Sequence, residues 1–176
     1  MSSLFITGFG PFGRVKENPS EQLVRCLKGR RTRILEVSFE AVDRFIGREF
    51  PRGVEQLLMI GVRGKSNQLH VEKVARNRVS NLKDVTGARK SGGIILPDGP
   101  AAIRSTLFKG WRSKRDVYTT SDDAGTYLCN YIFYQACVLR PSVQVGFLHV
   151  PPTSEVPLEA QLEKLMIILD KIEARA

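Results

Sequence analysis

The sequence predicts an α/β protein: a three-layer α/β/α sandwich around a mostly parallel, mixed central sheet. Three observations predict it. Short strand-like apolar runs alternate with helical stretches along the chain. One of them, "EQLLMIGV" (Glu55–Val62), is continuously apolar, the pattern of a strand covered on both faces. No internal repeat, linker or low-complexity stretch interrupts the alternation, so residues 1–176 read as a single domain with a real hydrophobic core.

The elements follow in order. Leu4–Thr7 is a short buried strand. Asn18-Pro19-Ser20 opens a helix, with Asn as the cap and Pro at the first helical position. Leu23, Val24 and Leu27 give that helix its apolar face. "RILEVSF" (Arg33–Phe39) is expected as a strand and Ala41–Phe50 as a helix ending before Pro51. Residues 69–79, "LHVEKVARNRV", alternate apolar with polar and suggest a twisted or edge strand. Ser80–Pro97 is polar and rich in Gly and Lys, hence a long loop or hairpin. Asp98–Phe108 carries a cap and an early Pro and reads as a helix. Asp116–Thr120 is a strand. Thr126–Leu139 is a helix with Leu128, Ile132, Ala136 and Leu139 on one face. Val143–Val150 is a strand. Leu158, Leu162, Leu165, Leu169 and Ile172 form the stripe of a closing amphipathic helix.

Composition bounds the function. The chain is 42% hydrophobic and 26% charged, ordinary for a globular protein. No apolar run approaches the roughly 20 residues a bilayer span needs. The opening apolar run is short and has no basic leader, and Cys26, Cys129 and Cys137 lack metal-type spacing and are odd in number. A reducing, cytoplasmic location is expected. The net charge of +9 includes a cluster at Arg25, Lys28, Arg30, Arg31 and Arg33. With no aromatic stacking motif beside it, the cluster reads as a solvated helix end and turn, which argues against a nucleic-acid partner.

Residues 8–13, "GFGPFG", satisfy G-x-G-x-x-G after an apolar run. The dinucleotide reading fails on chemistry. Pro11 removes an N–H that a pyrophosphate would use, Phe9 and Phe12 are bulky where phosphate wants small residues, and the helix signal waits until Pro19. This loop suits something flat and apolar, and no cofactor is expected. A nucleophile candidate lies instead in "SDDAGTYLCN". Cys129 falls in the first turns of a predicted helix, whose N-terminus favours a thiolate. His149 ends a predicted strand, where working residues of open α/β sheets gather. Glu72, on another strand, can orient the imidazole as third member. Cys26 and Cys137 read as small buried hydrophobes. His70 shares a strand face with Glu72 by period two and reads as a packing residue. No close ligand spacing makes a metal site of His70, Glu72 and His149.

Taken together and in order, "TGFGPFG", "NPS", "VEKVARN", "DGPAA", "SDDAGTYLCN" and "GFLHVPP" resemble the pyrrolidone-carboxylate peptidases, or pyroglutamyl peptidase I family. These are cysteine exopeptidases that remove an N-terminal pyroglutamyl residue from peptides. The resemblance runs from about Leu4 to the C-terminal helix. It implies Cys129 as nucleophile, His149 as general acid–base and Glu72 as the orienting acid. It implies a lactam pocket made by Phe9, Phe12, Asn18 and Tyr127, no cofactor or metal, and a homo-oligomer. Aromatic walls suit a flat neutral lactam, and a charged N-terminus would be costly to desolvate there.

The chain departs from the family pattern. Where the family reads G-Q-x-G-G-R, this sequence has "GVRGKS", placing Val62 for glutamine and Ser66 for arginine. Lys73 replaces an arginine beside the acid, and Leu82 stands where another arginine is usual. These departures carry the alternative expectation: a weak or inactive relative that binds a small neutral lactam or a protein partner.

Overall fold

The computed structural model describes residues 3–13 and 16–175. Its six-stranded sheet contains β1 (Leu4–Phe9), β2 (Arg31–Leu35), β3 (Gln56–Val62), β4 (Leu69–Glu72), β7 (Tyr118–Ser121) and β8 (Gln144–Val150), in the order β2-β1-β3-β8-β4-β7. Every pairing is parallel except β4 with β8. A separate two-stranded ribbon joins β5 (Val74–Arg76) to β6 (Ala102–Arg104). The helices are α1 (Pro19–Cys26), α2 (Phe39–Gly47), α3 (Leu128–Leu139) and α4 (Leu158–Glu173). One core cluster joins α1 and α4 to one face of the sheet, and a second joins α2 and α3 to the other. That is the three-layer sandwich with a mixed, mostly parallel sheet. In α4 the buried side chains are Leu165, Ile168, Leu169 and Ile172, each stabilising by about 1.5–3 kcal/mol.

Local chemistry sets several element ends. Asn18 caps α1 by accepting from Ser20 N at 3.0 Å, and Pro19 follows at the first helical position. Gly8 lets α1 sit close: a Cβ there would lie 2.6 Å from Ser20 O. The glycine-rich loop thus serves helix–strand packing, not a phosphate.

Five expectations need correction. The strand expected over Arg33–Phe39 stops at Leu35. Ser38 caps α2 through Ala41 N, and the Asp84 carboxylate accepts from Phe39 N at 2.9 Å, so a distant loop draws Phe39 into a helix. Residues 69–79 split into β4 and β5, and β4 is interior, between β8 and β7. Its alternation arises because His70 and Glu72 share the sheet face of His149, to which Glu72 is hydrogen-bonded. The helix expected over Asp98–Phe108 is absent. Ala102–Arg104 pairs with β5, and Asn77 Nδ2 and Tyr134 Oη donate to the carbonyls of Leu96, Gly99 and Pro100, taking up the backbone a helix would need. Finally, α3 is buried nearly all round, with Leu139 as its exposed exception at 44%, because it lies between the sheet and residues 77–101. Cys26 is exposed, whereas burial pushes the Cys137 thiol up to about 12.

In the basic cluster, Arg25 pairs with Glu21, Arg30 with Glu173 and Arg33 with Glu49, while Arg31 donates to the backbone of Arg52 and Gly53. Much of that charge is locally neutralised. Among the described residues no helix is long and apolar enough to cross a membrane.

Candidate active site

A cavity of about 610 Å³ opens above the carboxyl ends of β1, β3 and β8. Parallel strands deliver their C-terminal residues to one edge of a sheet, and here that edge carries the site. His149 is the second-last residue of β8. Its Cα pairs with Gly61 on β3 and with His70 on β4. Glu72 ends β4 and is fully buried. Cys129 is the second residue of α3 and lines the cavity.

These elements bring Glu72, Cys129 and His149 together. His149 Nδ1 lies 2.7 Å from Glu72 Oε1. The Cys129 sulfur lines the same cavity as the His149 ring and acts on it electrostatically. Burial alone would lower the His149 pKa. The Cys129 sulfur and the Glu72 carboxylate outweigh it and raise the ring to about 9. An imidazolium held this way is the counter-charge a thiolate nucleophile requires. No side chain caps the start of α3, and the amides of its first turn have no intrahelical acceptor.

The rest of the wall is aromatic. Phe9, Phe12, Val37 and Tyr127 line the cavity with Asn18. Phe9 is pinned by its N–H donating to Ser20 Oγ at 3.0 Å. Asn18 Nδ2 donates to Gly10 O at 2.9 Å, so this side chain both caps α1 and clasps the aromatic loop. Tyr127 Oη donates to Lys83 O at 2.9 Å, and its ring packs edge-on against Phe39. Burial, then the nearby Asp84 and Cys129, raise the Tyr127 hydroxyl pKa and keep it a neutral donor. Every residue the sequence nominated for the site therefore borders this one cleft or, in the case of Glu72, lies directly behind it. Among the described residues no group of three His, Cys, Asp or Glu side chains is arranged to hold a metal ion.

The sequence profile of the pyroglutamyl peptidase family matches residues 2–170. The chain belongs to that family. Relatives named pyrrolidone-carboxylate peptidase bear this out. One from Clavibacter michiganensis is 31% identical over 88% of this chain and 81% of its own length. One from Lacticaseibacillus paracasei is 33% identical over 84% of this chain and 77% of its own. The crystal structure of pyrrolidone carboxyl peptidase from Thermus thermophilus superimposes with a TM-score of 0.78 at 29% identity, covering 92% of this chain and 96% of that one. Pyroglutamyl peptidase I from Bacillus amyloliquefaciens, at 24% identity and a TM-score of 0.80 over 92% of both chains, shares the fold.

Within the family this chain's departures have definite places. Val62 lines the cavity. Ser66 Oγ lies 2.7 Å from His70 Nε2. Burial, then the charge of Arg63, hold the His70 ring below the usual histidine range. Lys73 Nζ donates to Phe108 O and Trp111 O, turned away from the cleft, and Leu82 is 58% exposed.

Three residues at the site escaped the sequence reading. Asn130 Oδ1 accepts from Arg76 N at 2.9 Å while its Nδ2 donates to the carbonyls of Arg76 and Arg78, locking the start of α3 to β5. Gly61 makes room for the Cys129 sulfur, since a Cβ there would lie 2.8 Å from it. A glycine inside an otherwise apolar strand was the available signal. Arg63 Nη1 lies 3.4 Å from Glu72 Oε1. Nothing in its local sequence marks it.

Proposed function

We propose that this chain is a cysteine exopeptidase that hydrolyses the N-terminal pyroglutamyl residue from peptides by acyl transfer. One observation carries the proposal: an imidazole hydrogen-bonded to a buried carboxylate shares the wall of a partly aromatic cavity with a cysteine at the start of a helix. In this reading residues 1–176 form one peptidase domain. Phe9, Phe12 and Tyr127 sandwich the flat lactam, and Asn18, with one Nδ2 hydrogen beyond its bond to Gly10, offers a donor to the ring carbonyl.

The Cys129 thiolate attacks the pyroglutamyl carbonyl carbon, and amides at the α3 start receive the oxyanion. The C–N bond breaks as His149 gives its proton to the departing amine. A thioester remains on Cys129. His149 then takes a proton from water, the hydroxide adds to the thioester carbonyl, and the thiolate leaves with pyroglutamate released. Glu72 holds the imidazole in one tautomer and favours its charged form.

The test is release of a chromogenic amine from its pyroglutamyl derivative. Cys129→Ala is expected to lose on the order of 10³-fold or more of kcat/KM with its melting temperature kept. Turnover that persists in this variant would remove the nucleophile assignment. The exposed Leu82 and the diverted Ser66 favour one second reading, a lactam binder without turnover; saturable pyroglutamate binding by an inactive wild type would select it. The three free cysteines support a reducing, cytoplasmic location. A homo-oligomer, proposed by family likeness, is checked by sedimentation.

A further inference from the structure

The cleft has two sides of different chemistry. Phe9 and Val37 line it from the β1–β2 end of the sheet, while Arg63, just after β3, sends its guanidinium across β8 to Glu72 on β4 and Ser121 on β7. We propose that Arg63 anchors a carboxylate on the leaving side of the substrate. The enzyme would then favour peptides whose residue after pyroglutamate carries a negative charge close to the scissile amide, above all the free C-terminus of a pyroglutamyl dipeptide. This rests on the peptidase reading given above.

Placement comes first. Arg63 follows β3 and lies two residues beyond Gly61, so strand alternation turns it to the same face as the Cys129 sulfur. Its backbone N–H donates to Val150 O at 2.8 Å, which fixes its Cα beside the end of β8. The guanidinium is held by one nitrogen only. Nη1 reaches Glu72 Oε1 at 3.4 Å and Ser121 Oγ at 3.3 Å. Nε and Nη2 have no acceptor among the described residues, and the side chain is 37% exposed on the cavity wall.

Charge comes second. Glu72 Oε1 already lies 2.7 Å from His149 Nδ1, so the longer contact to Arg63 leaves much of the guanidinium's charge for another anion. Two other carboxylates on the wall have their own partners: Asp123 pairs with Arg78, and Glu17 accepts from Gln22.

Direction comes third. With the lactam between Phe9 and Phe12 and its carbonyl carbon on Cys129, the leaving side of the substrate falls in the part of the cavity that Arg63 lines. The α-carboxylate of a single leaving amino acid is two bonds from that nitrogen. Arginine meets carboxylates through parallel N–H donors, and two of its nitrogens are unengaged here.

The experiment compares kcat/KM for L-pyroglutamyl-L-alanine and its C-terminal amide in wild type, Arg63→Met and Arg63→Lys. Wild type is expected to prefer the acid by about five- to tenfold at low salt, a discount on a fully buried charged hydrogen bond for the exposed guanidinium. Arg63→Met should bring the ratio to about one or below, Arg63→Lys should retain part of it, and the wild-type ratio should shrink with added salt. A wild-type ratio near one overturns the proposal without touching the peptidase reading. So does an equal fall on both substrates in Arg63→Met, which would assign Arg63 a purely supporting role through Glu72. If Arg63→Met fails to fold, the wild-type ratio and its salt dependence still decide. Failure of wild type to cleave either peptide would bring down the peptidase reading itself.

Discussion

Replacing Gly61 by alanine tests how the site is packed. The added methyl would lie 2.8 Å from Cys129 Sγ, 2.8 Å from Phe147 Cζ and 3.3 Å from Phe147 Cε1. Comfortable contact needs about 3.5–4.0 Å, so the sulfur and Cζ must each retreat by roughly 0.7–1.2 Å and Cε1 by roughly 0.2–0.7 Å. Phe147 cannot move freely. It is fully buried, and its ring packs at a tilt against Phe133 and meets the His149 ring edge-on at 4.9 Å. The sulfur is the softer neighbour and swings away from His149. Overpacking of this kind costs about 1–3 kcal/mol of stability, or about 2–4 °C of melting temperature per kcal/mol. A reacting atom displaced by about 1 Å can lose on the order of 10²-fold in rate. The assay pairs kcat/KM on a pyroglutamyl anilide with the alkylation rate of Cys129 and a thermal melt. Gly47→Ala is the control, because a Cβ there meets nothing within 4 Å; it should gain about 0.4–1 kcal/mol and keep full activity. Wild-type activity and alkylation rate in Gly61→Ala would refute this account of the site.

Two further predictions follow from the His149 environment. Glu72→Gln removes the anion at Nδ1, so kcat is expected to fall on the order of 10³-fold and the ring to titrate well below about 9 by NMR, where burial then weighs more heavily; an unchanged kcat would refute the orienting role. The ring is raised from 6.5 to about 9 on folding, so its contribution, up to about 3 kcal/mol, is fully present below pH 6.5 and is lost as pH rises through about 9. Wild type should therefore outlast His149→Gln in urea by a margin that narrows between pH 6 and pH 10, and a margin that widens would contradict the sign.

The elements readable from the residues alone were those whose signals are local. The Asn18-Pro19 cap, the apolar run of β3 and the stripe of α4 each act within a few residues, through backbone hydrogen bonding and burial of one face. Cys129 and His149 each carried a local signal, an early-helix cysteine and a strand-end histidine; because β4 and β7 run opposite to β8, their meeting with Glu72 was decided by the tertiary fold. Long-range contacts settled the rest. Asp84 reaches 45 residues back to draw Phe39 into α2. Asn77 and Tyr134 take the carbonyls that a helix over Asp98–Phe108 would have used, and the ribbon with β5 forms instead. The alternation of β4 could mean solvent or a buried polar pair, and its pairing with β8, which sets Glu72 against His149, decided for the pair. Gly61 and Arg63 belong to the site for the same reason: their roles exist only against atoms of Cys129, Glu72 and Ser121, which folding brings beside them from distant parts of the chain.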